Sequence, residues 1–194
     1  MVSTDRSQST RASGWRTRDI VITAVIGVAF GVVFWAWNNV WLAAVAAFPA
    51  VPWVADLLYG VWFMPAIVAM LIVRKPGAAF FAELVAAGLS MLMGTVWAAD
   101  VLLSGALQGL GAELVFLAFG YRLFTFPVLA AAALAASVPA FIHDWIIWYP
   151  GVDPVVQLVR FVMMAVSAVV IAGGGSMLLE RRLRETGVLQ GFPD

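Results

Sequence analysis

Five polar side chains stand inside long apolar stretches of this sequence: Glu83, Gln108, Glu113, Asp144 and Arg160. Ionisable groups at such positions are rare and point to function. Their neighbours are aromatic. Trp35, Trp37 and Trp41 surround Asn38 and Asn39, Tyr59 and Trp62 are three residues apart, and Trp97 and Trp148 follow in later segments. Phe141, Asp144, Trp145 and Trp148 follow i, i+3, i+4, i+7 spacing and share one helix face. Nine tryptophans are many for 194 residues. Ring faces attract positive charge, and buried carboxylates accept from cationic or N–H donors. Together they suit a flat or cationic aromatic molecule. A plainer reading competes at each position. An interfacial aromatic belt accounts for several rings and for the surroundings of Asp144. Glu113 could make an interhelical hydrogen bond or pair with Arg160, and Glu83 could be structural. His143, the one histidine, reads as a packing residue.

Other chemistries find little support. No glycine-rich loop ending in Lys-Ser/Thr is present to cradle phosphates. Ser104, Ser137, Ser167 and Ser176 sit in no nucleophile motif. No cluster has metal-ligand spacing, and the chain has no cysteine. Formal net charge is zero, which leaves no basic surface for nucleic acid. The residues point to a binding module and not an enzyme, with no cofactor and no metal.

The elements that must position these residues are membrane helices. The chain is 63% hydrophobic and 11% charged, against about 25% charged residues in soluble domains. A span needs about 20 apolar residues. The runs predict six helices: Asp19–Trp37, Asp56–Val73, Ala78–Trp97, Ser104–Tyr121, Phe126–Trp148 and Val156–Arg181. Runs this long without alternation argue against a membrane β-barrel. The fold class expected is an all-α integral membrane bundle, with residues 19–184 as the membrane domain. Residues 1–18 are expected to form a disordered cytoplasmic tail that does not read as a cleavable signal, and residues 185–194 a short cytoplasmic C-terminal tail. Ten of the eleven Lys and Arg residues fall in four clusters: Arg6/Arg11/Arg16/Arg18, Arg74/Lys75, Arg122 and Arg181/Arg182/Arg184. The intervening turns, Asn38–Ala55, Val96–Ser104 and Tyr149–Val155, carry none. Positive charge marks the cytoplasmic side, so both termini are expected inside. Helix 1 carries small residues Thr23, Gly27 and Gly31 at four-residue spacing, suited either to close packing within the bundle or to docking on another membrane protein.

Several segments carry a resemblance: Arg18–Gly31, Gly60–Ala66, Arg74–Ala78 with Glu83-Leu84, and Gly105–Glu113. Through them the chain resembles, over about Trp15 to Arg184, the substrate-binding (S) components of energy-coupling factor vitamin transporters, of the YkoE type. The resemblance implies a six-helix domain in the inner membrane of a bacterial cell. It implies partnership with a transmembrane coupling protein and two ATPase subunits, and uptake of thiamine or its hydroxymethylpyrimidine precursor. Family members dock through an Ala-x-x-x-Ala motif on helix 1; the nearest match here is Gly27-x-x-x-Gly31, preceded by Thr23. The family's ligand lies near the outer surface under the first loop, which favours Trp35, Asn38, Tyr59, Trp62, Gln108, Glu113 and Trp148 over Glu83. On this reading Glu113 bonds the aminopyrimidine, Asp144 faces the thiazolium cation, and Arg160 orients Glu113 or binds a phosphate or hydroxyl end. A scaffold protein using its small-residue faces, or an S component for another vitamin, are the alternatives.

Overall fold

The computed structural model describes residues 14–193, so most of the expected N-terminal tail lies outside the described residues. Within them lie six apolar helical segments and no strand. They are α1 (Thr17–Ala47), α2 (Pro52–Val73), α3 (Ala78–Leu92), α4 (Asp100–Ala118), α5 (Phe126–Ile147) and α6 (Pro154–Glu185). All except α3 are long and apolar enough to cross a membrane.

α2 is the centre of the bundle. Its second half, Pro65 to Val73, is buried throughout. α1 packs on α3, α3 on α4, α4 on α5 and α5 on α6, and α2, which touches all of them, closes the ring between α6 and α1. The ring turns apolar side chains outward at helical spacing: Val21, Val25, Val28 and Val32 on α1, Leu110, Leu114 and Leu117 on α4, and Leu158, Val162, Val166 and Val170 on α6. Such stripes suit lipid. Lipid offers no hydrophobic drive for helices to associate, so the contacts are made by small residues. Ala78, Ala79, Ala82, Ala86 and Ala87 on α3, and Ala132, Ala133, Ala136 and Ala140 on α5, are all fully buried.

Thr23, Gly27 and Gly31 are part of this packing. A Cβ on Gly27 would lie 2.6 Å from Val85 Cβ, and one on Gly31 would lie 2.7 Å from Leu89 Cβ. The Thr23 hydroxyl donates to Asp19 O at 2.7 Å. The stripe, suited by its sequence either to packing or to docking, is packed against α3 in this structure.

Two helices depart from α geometry. The first half of α2, Pro52–Phe63, is a 3-10 helix, and Ala168–Gly175 in α6 is a π-helix. Long runs of either are uncommon and favour functional sites. They meet at Gly60, where any Cβ would overlap Ser167 O. The Ser167 hydroxyl accepts from Gly60 N at 2.8 Å and donates to Leu57 O at 2.7 Å, stitching the crossing. A three-residue repeat aligns side chains at i, i+3 and i+6, so Asp56, Tyr59 and Trp62 share one face of this segment. In α5, Pro139 has no N–H for Ala135 O. Gly111 of α4 seats against that carbonyl, where a Cβ would overlap it.

Several boundaries differ from expectation. α1 runs ten residues past Trp37, so the expected long loop Asn38–Ala55 shrinks to the link between Ala47 and Pro52. α3 stops at Leu92, just before Gly94 with its positive φ of 84°, and α4 starts at Asp100. The basic residues among the described ones gather at one end, as the charge pattern requires. There Trp15 Nε1 donates to Pro76 O at 3.0 Å, Arg18 lies over the Phe192 ring and Arg74 over the Phe124 ring. Arg160 is the exception, in the first turns of α6.

Candidate functional site

A cavity opens at the opposite end, enclosing about 550 Å³ of empty space that includes its open mouth. One wall is aromatic. Trp41 of α1 and Tyr59 and Trp62 of α2 meet edge to face, with ring centroids 5.1–5.7 Å apart. Near the mouth, Trp97 meets Trp148 at 4.9 Å. Asn38 is buried behind Trp97 and holds it: Trp97 Nε1 donates to Asn38 Oδ1 at 3.0 Å, while Asn38 Nδ2 donates to Thr95 Oγ1 at 2.6 Å.

The other walls carry three carboxyl groups, from Glu83, Asp100 and Asp144. Glu83 is fully buried in the middle of α3. Its Oε2 accepts from Ala66 N at 3.2 Å, where α2 changes from 3-10 to α geometry. Its Oε1 is buried and has no protein partner, which is costly unless a ligand group or water supplies one. Gln108 of α4 also lines the cavity and donates to Ser104 Oγ at 2.7 Å. Asp144 Oδ2 accepts from the Tyr59 hydroxyl at 2.8 Å, and Asp100 Oδ2 accepts from Trp148 Nε1 at 2.8 Å. His143 sits behind them, with Nδ1 3.1 Å from Asp144 Oδ1 and Nε2 3.0 Å from Asp100 Oδ1. Among the described residues, no lysine or arginine lines the cavity.

Tyr59, Trp62, Gln108, Asp144 and Trp148, named from the sequence, meet here, and Glu83, ranked lowest, lies among them. The structure adds Phe34, Trp41, Trp97, Asp100 and Ser104. Four expected residues lie elsewhere. Trp35 is on the outer surface of α1 and 40% exposed. Asn38 supports Trp97 from behind. Arg160 does not reach Glu113: its Nε donates to Asp56 Oδ2 at 2.9 Å and its Nη1 to Gln157 Oε1 at 3.2 Å. Its guanidinium stacks 3.5 Å from the centroid of Tyr149, whose ring lines the cavity mouth. Burial pushes the Tyr149 phenol above its ordinary pKa, against the pull of Arg160, so it stays neutral.

Glu113 is the main correction. It lies at the basic end, where Oε1 accepts from Gly77 N at 2.6 Å and Oε2 from Ala79 N and Phe80 N at 3.0 and 3.3 Å. It thus caps the start of α3, satisfying N–H groups that a helix leaves without partners and favouring the positive end of its dipole. Burial together with this carboxylate pushes the Tyr121 phenol up to about 12. Gly109, one turn before Glu113, is a close contact: a Cβ there would lie 2.9 Å from Phe80 Cα and 3.0 Å from Glu83 Cβ. Glu113 and Gly109 together fix the turn of α3 that carries Glu83.

Three comparisons bear on this arrangement. Residues 18–139 match the family described as the permease component of an ABC-type cobalt transport system. The putative HMP/thiamine permease protein YkoE of Bacillus subtilis (strain 168) is 34% identical over 179 residues, covering 92% of this chain and 89% of the relative. A crystal structure of an S-component of an ECF transporter superposes with a TM-score of 0.87 at 34% identity, over 91% of this chain and 89% of that one.

Proposed function

The chain belongs to the YkoE-type family of energy-coupling factor S components, and on that premise we propose that its cavity captures thiamine or hydroxymethylpyrimidine from outside the cell. The observation that carries the substrate is Glu83: a buried carboxyl group with one oxygen lacking a protein partner, in a cavity walled by indole rings. An aminopyrimidine is flat and presents N–H donors along one edge. Trp41, Tyr59 and Trp62 offer ring surfaces to it, and Gln108 a second polar contact. Glu83 Oε1 takes the amino group.

Thiamine adds a fixed thiazolium cation, which suits the acidic side of the mouth at Asp100 and Asp144. Edge-to-face and cation contacts with the rings contribute about 0.5–1.5 kcal/mol each, which is modest. Discrimination then comes from the polar groups, since a site built for N–H donors leaves a carboxyl group unpaired when the donor is missing. The chain performs no chemistry on the ligand. Translocation is driven by a coupling protein and two ATPase subunits in the bacterial inner membrane, with both termini of this chain on the cytoplasmic side.

Intrinsic fluorescence tests the capture step, because four tryptophans line the cavity. Titration with either ligand is expected to give saturable quenching. Quenching by hydroxymethylpyrimidine alone changes the substrate and keeps the site. No response to either, from folded protein free of bound vitamin, overturns the proposal.

A further inference from the structure

His143 carries an inference about the charge of the ligand, which rests on the reading of the cavity given above. Both of its ring nitrogens face carboxylate oxygens, at 3.1 Å for Asp144 and 3.0 Å for Asp100. Each carboxylate has its second oxygen engaged, by the Tyr59 hydroxyl and by the Trp148 indole. A neutral imidazole has one N–H and one lone pair. It can donate to one carboxylate but would then turn its lone pair on the other. Both contacts are satisfied together only when the trio Asp100–His143–Asp144 holds an extra proton, on the ring or shared with a carboxylate.

The other charged and titratable groups nearby are Tyr59 and Asp56 on α2, Glu83 on α3, Arg160 on α6 and Tyr149 beyond α5. Arg160 is committed to Asp56, Gln157 and the Tyr149 ring. The trio's proton is then the positive charge that faces both Asp100 and Asp144.

We propose that His143 determines which ligand charge the cavity accepts: a cation entering between Asp100 and Asp144 takes the place of the trio's proton, which leaves to solvent. Imidazolium becomes imidazole plus a released proton, and the ring keeps one N–H for one carboxylate. The ligand cation neutralises the charge that the proton neutralised before. A neutral pyrimidine brings no charge, so the proton stays. Binding of thiamine is thus an exchange of one cation for another, and binding of hydroxymethylpyrimidine is not.

Calorimetric titration of the purified full chain tests this. Both ligands are titrated in buffers of different ionisation enthalpy, at one pH where the aminopyrimidine is uncharged. Proton changes at Glu83 or Gln108 caused by the shared pyrimidine are common to both ligands and cancel in the difference. Thiamine is expected to release about one proton more than hydroxymethylpyrimidine, so its relative affinity rises about tenfold per pH unit while the free trio is protonated. His143→Gln is expected to abolish the difference. Asp100→Asn does the same by a separate route, since a neutral imidazole can donate to Asp144 and accept from the new amide. Equal proton release by the two ligands in the native chain overturns the inference without any variant, as does a difference that survives both substitutions. Heats of binding with equal proton counts leave the substrate reading standing, whereas no heat with either ligand removes that reading and the inference together.

Discussion

Two buried glutamates, 30 residues apart in sequence, divide the work between ligand and fold. Glu83 has an oxygen without a protein partner inside the cavity, whereas Glu113 receives three backbone N–H groups at the basic end. Replacing each by Gln separates these roles. Glu83→Gln keeps the shape but exchanges acceptors for an N–H₂ that meets the amino group of the ligand. Affinity is expected to fall by about 1–3 kcal/mol, the scale of a charge-assisted hydrogen bond, with the melting temperature of the free protein little changed. Glu113→Gln is expected to lower the melting temperature, with a smaller effect on affinity, because it weakens the cap on α3. Fluorescence titration and thermal melting of both variants decide it, and the reversed pattern would restore Glu113 to the ligand. The sequence makes the residue types legible here but not their depth. Reading α4 as starting at Ser104 instead of Asp100 displaces Glu113 by four residues, about 6 Å along the helix. That shift is enough to move it from the inner turn towards the middle of the membrane. Asp100 escapes notice, and Trp41 is noticed but not placed at the site, for a related reason: both fall in segments that read as loops and prove helical.

At the scale of elements, the small residues decide how closely the helices approach. α3 leaves no room for a side chain at Gly27 or Gly31, and α6 leaves none at Gly60 where the 3-10 segment crosses it. Gly31→Leu is expected to destabilise the isolated chain by about 1–3 kcal/mol through overpacking, seen as a lower melting temperature in detergent. If the stripe were instead a docking face, the isolated chain would melt normally and only assembly with the coupling protein would fail. Six apolar runs separated by Pro, Gly and charge are readable from sequence because lipid demands them. The 3-10 and π segments are not, since local propensity does not favour either. They persist where tertiary contacts such as Ser167 with Gly60 and Leu57 hold them. The three-residue repeat has a consequence for the site: it places Asp56, Tyr59 and Trp62 on one face. Tyr59 and Trp62 then reach the cavity while Asp56 anchors Arg160.

For the whole molecule, charge and cavity lie at opposite ends, and this ties orientation to function. The clusters at Arg74/Lys75, Arg122 and Arg181/Arg182/Arg184 share the end held together by Trp15, Phe124 and Phe192. The cavity mouth is framed by Trp97 and Trp148 at the other. Positive charge stays in the cytoplasm, so the mouth is expected to face outward, as the proposed capture from outside requires. The chain has no cysteine, so a single introduced thiol reports its own side of the membrane. Val96 and Leu123 are exposed positions in the connections at the two ends, 55% and 47% accessible. In intact cells a membrane-impermeant maleimide is expected to label Val96→Cys and to spare Leu123→Cys until the cells are opened. The opposite pattern would turn the cavity to the cytoplasm. Capture from outside would then fail, even though the fold, the aromatic walls and the free carboxyl oxygen of Glu83 would be unchanged.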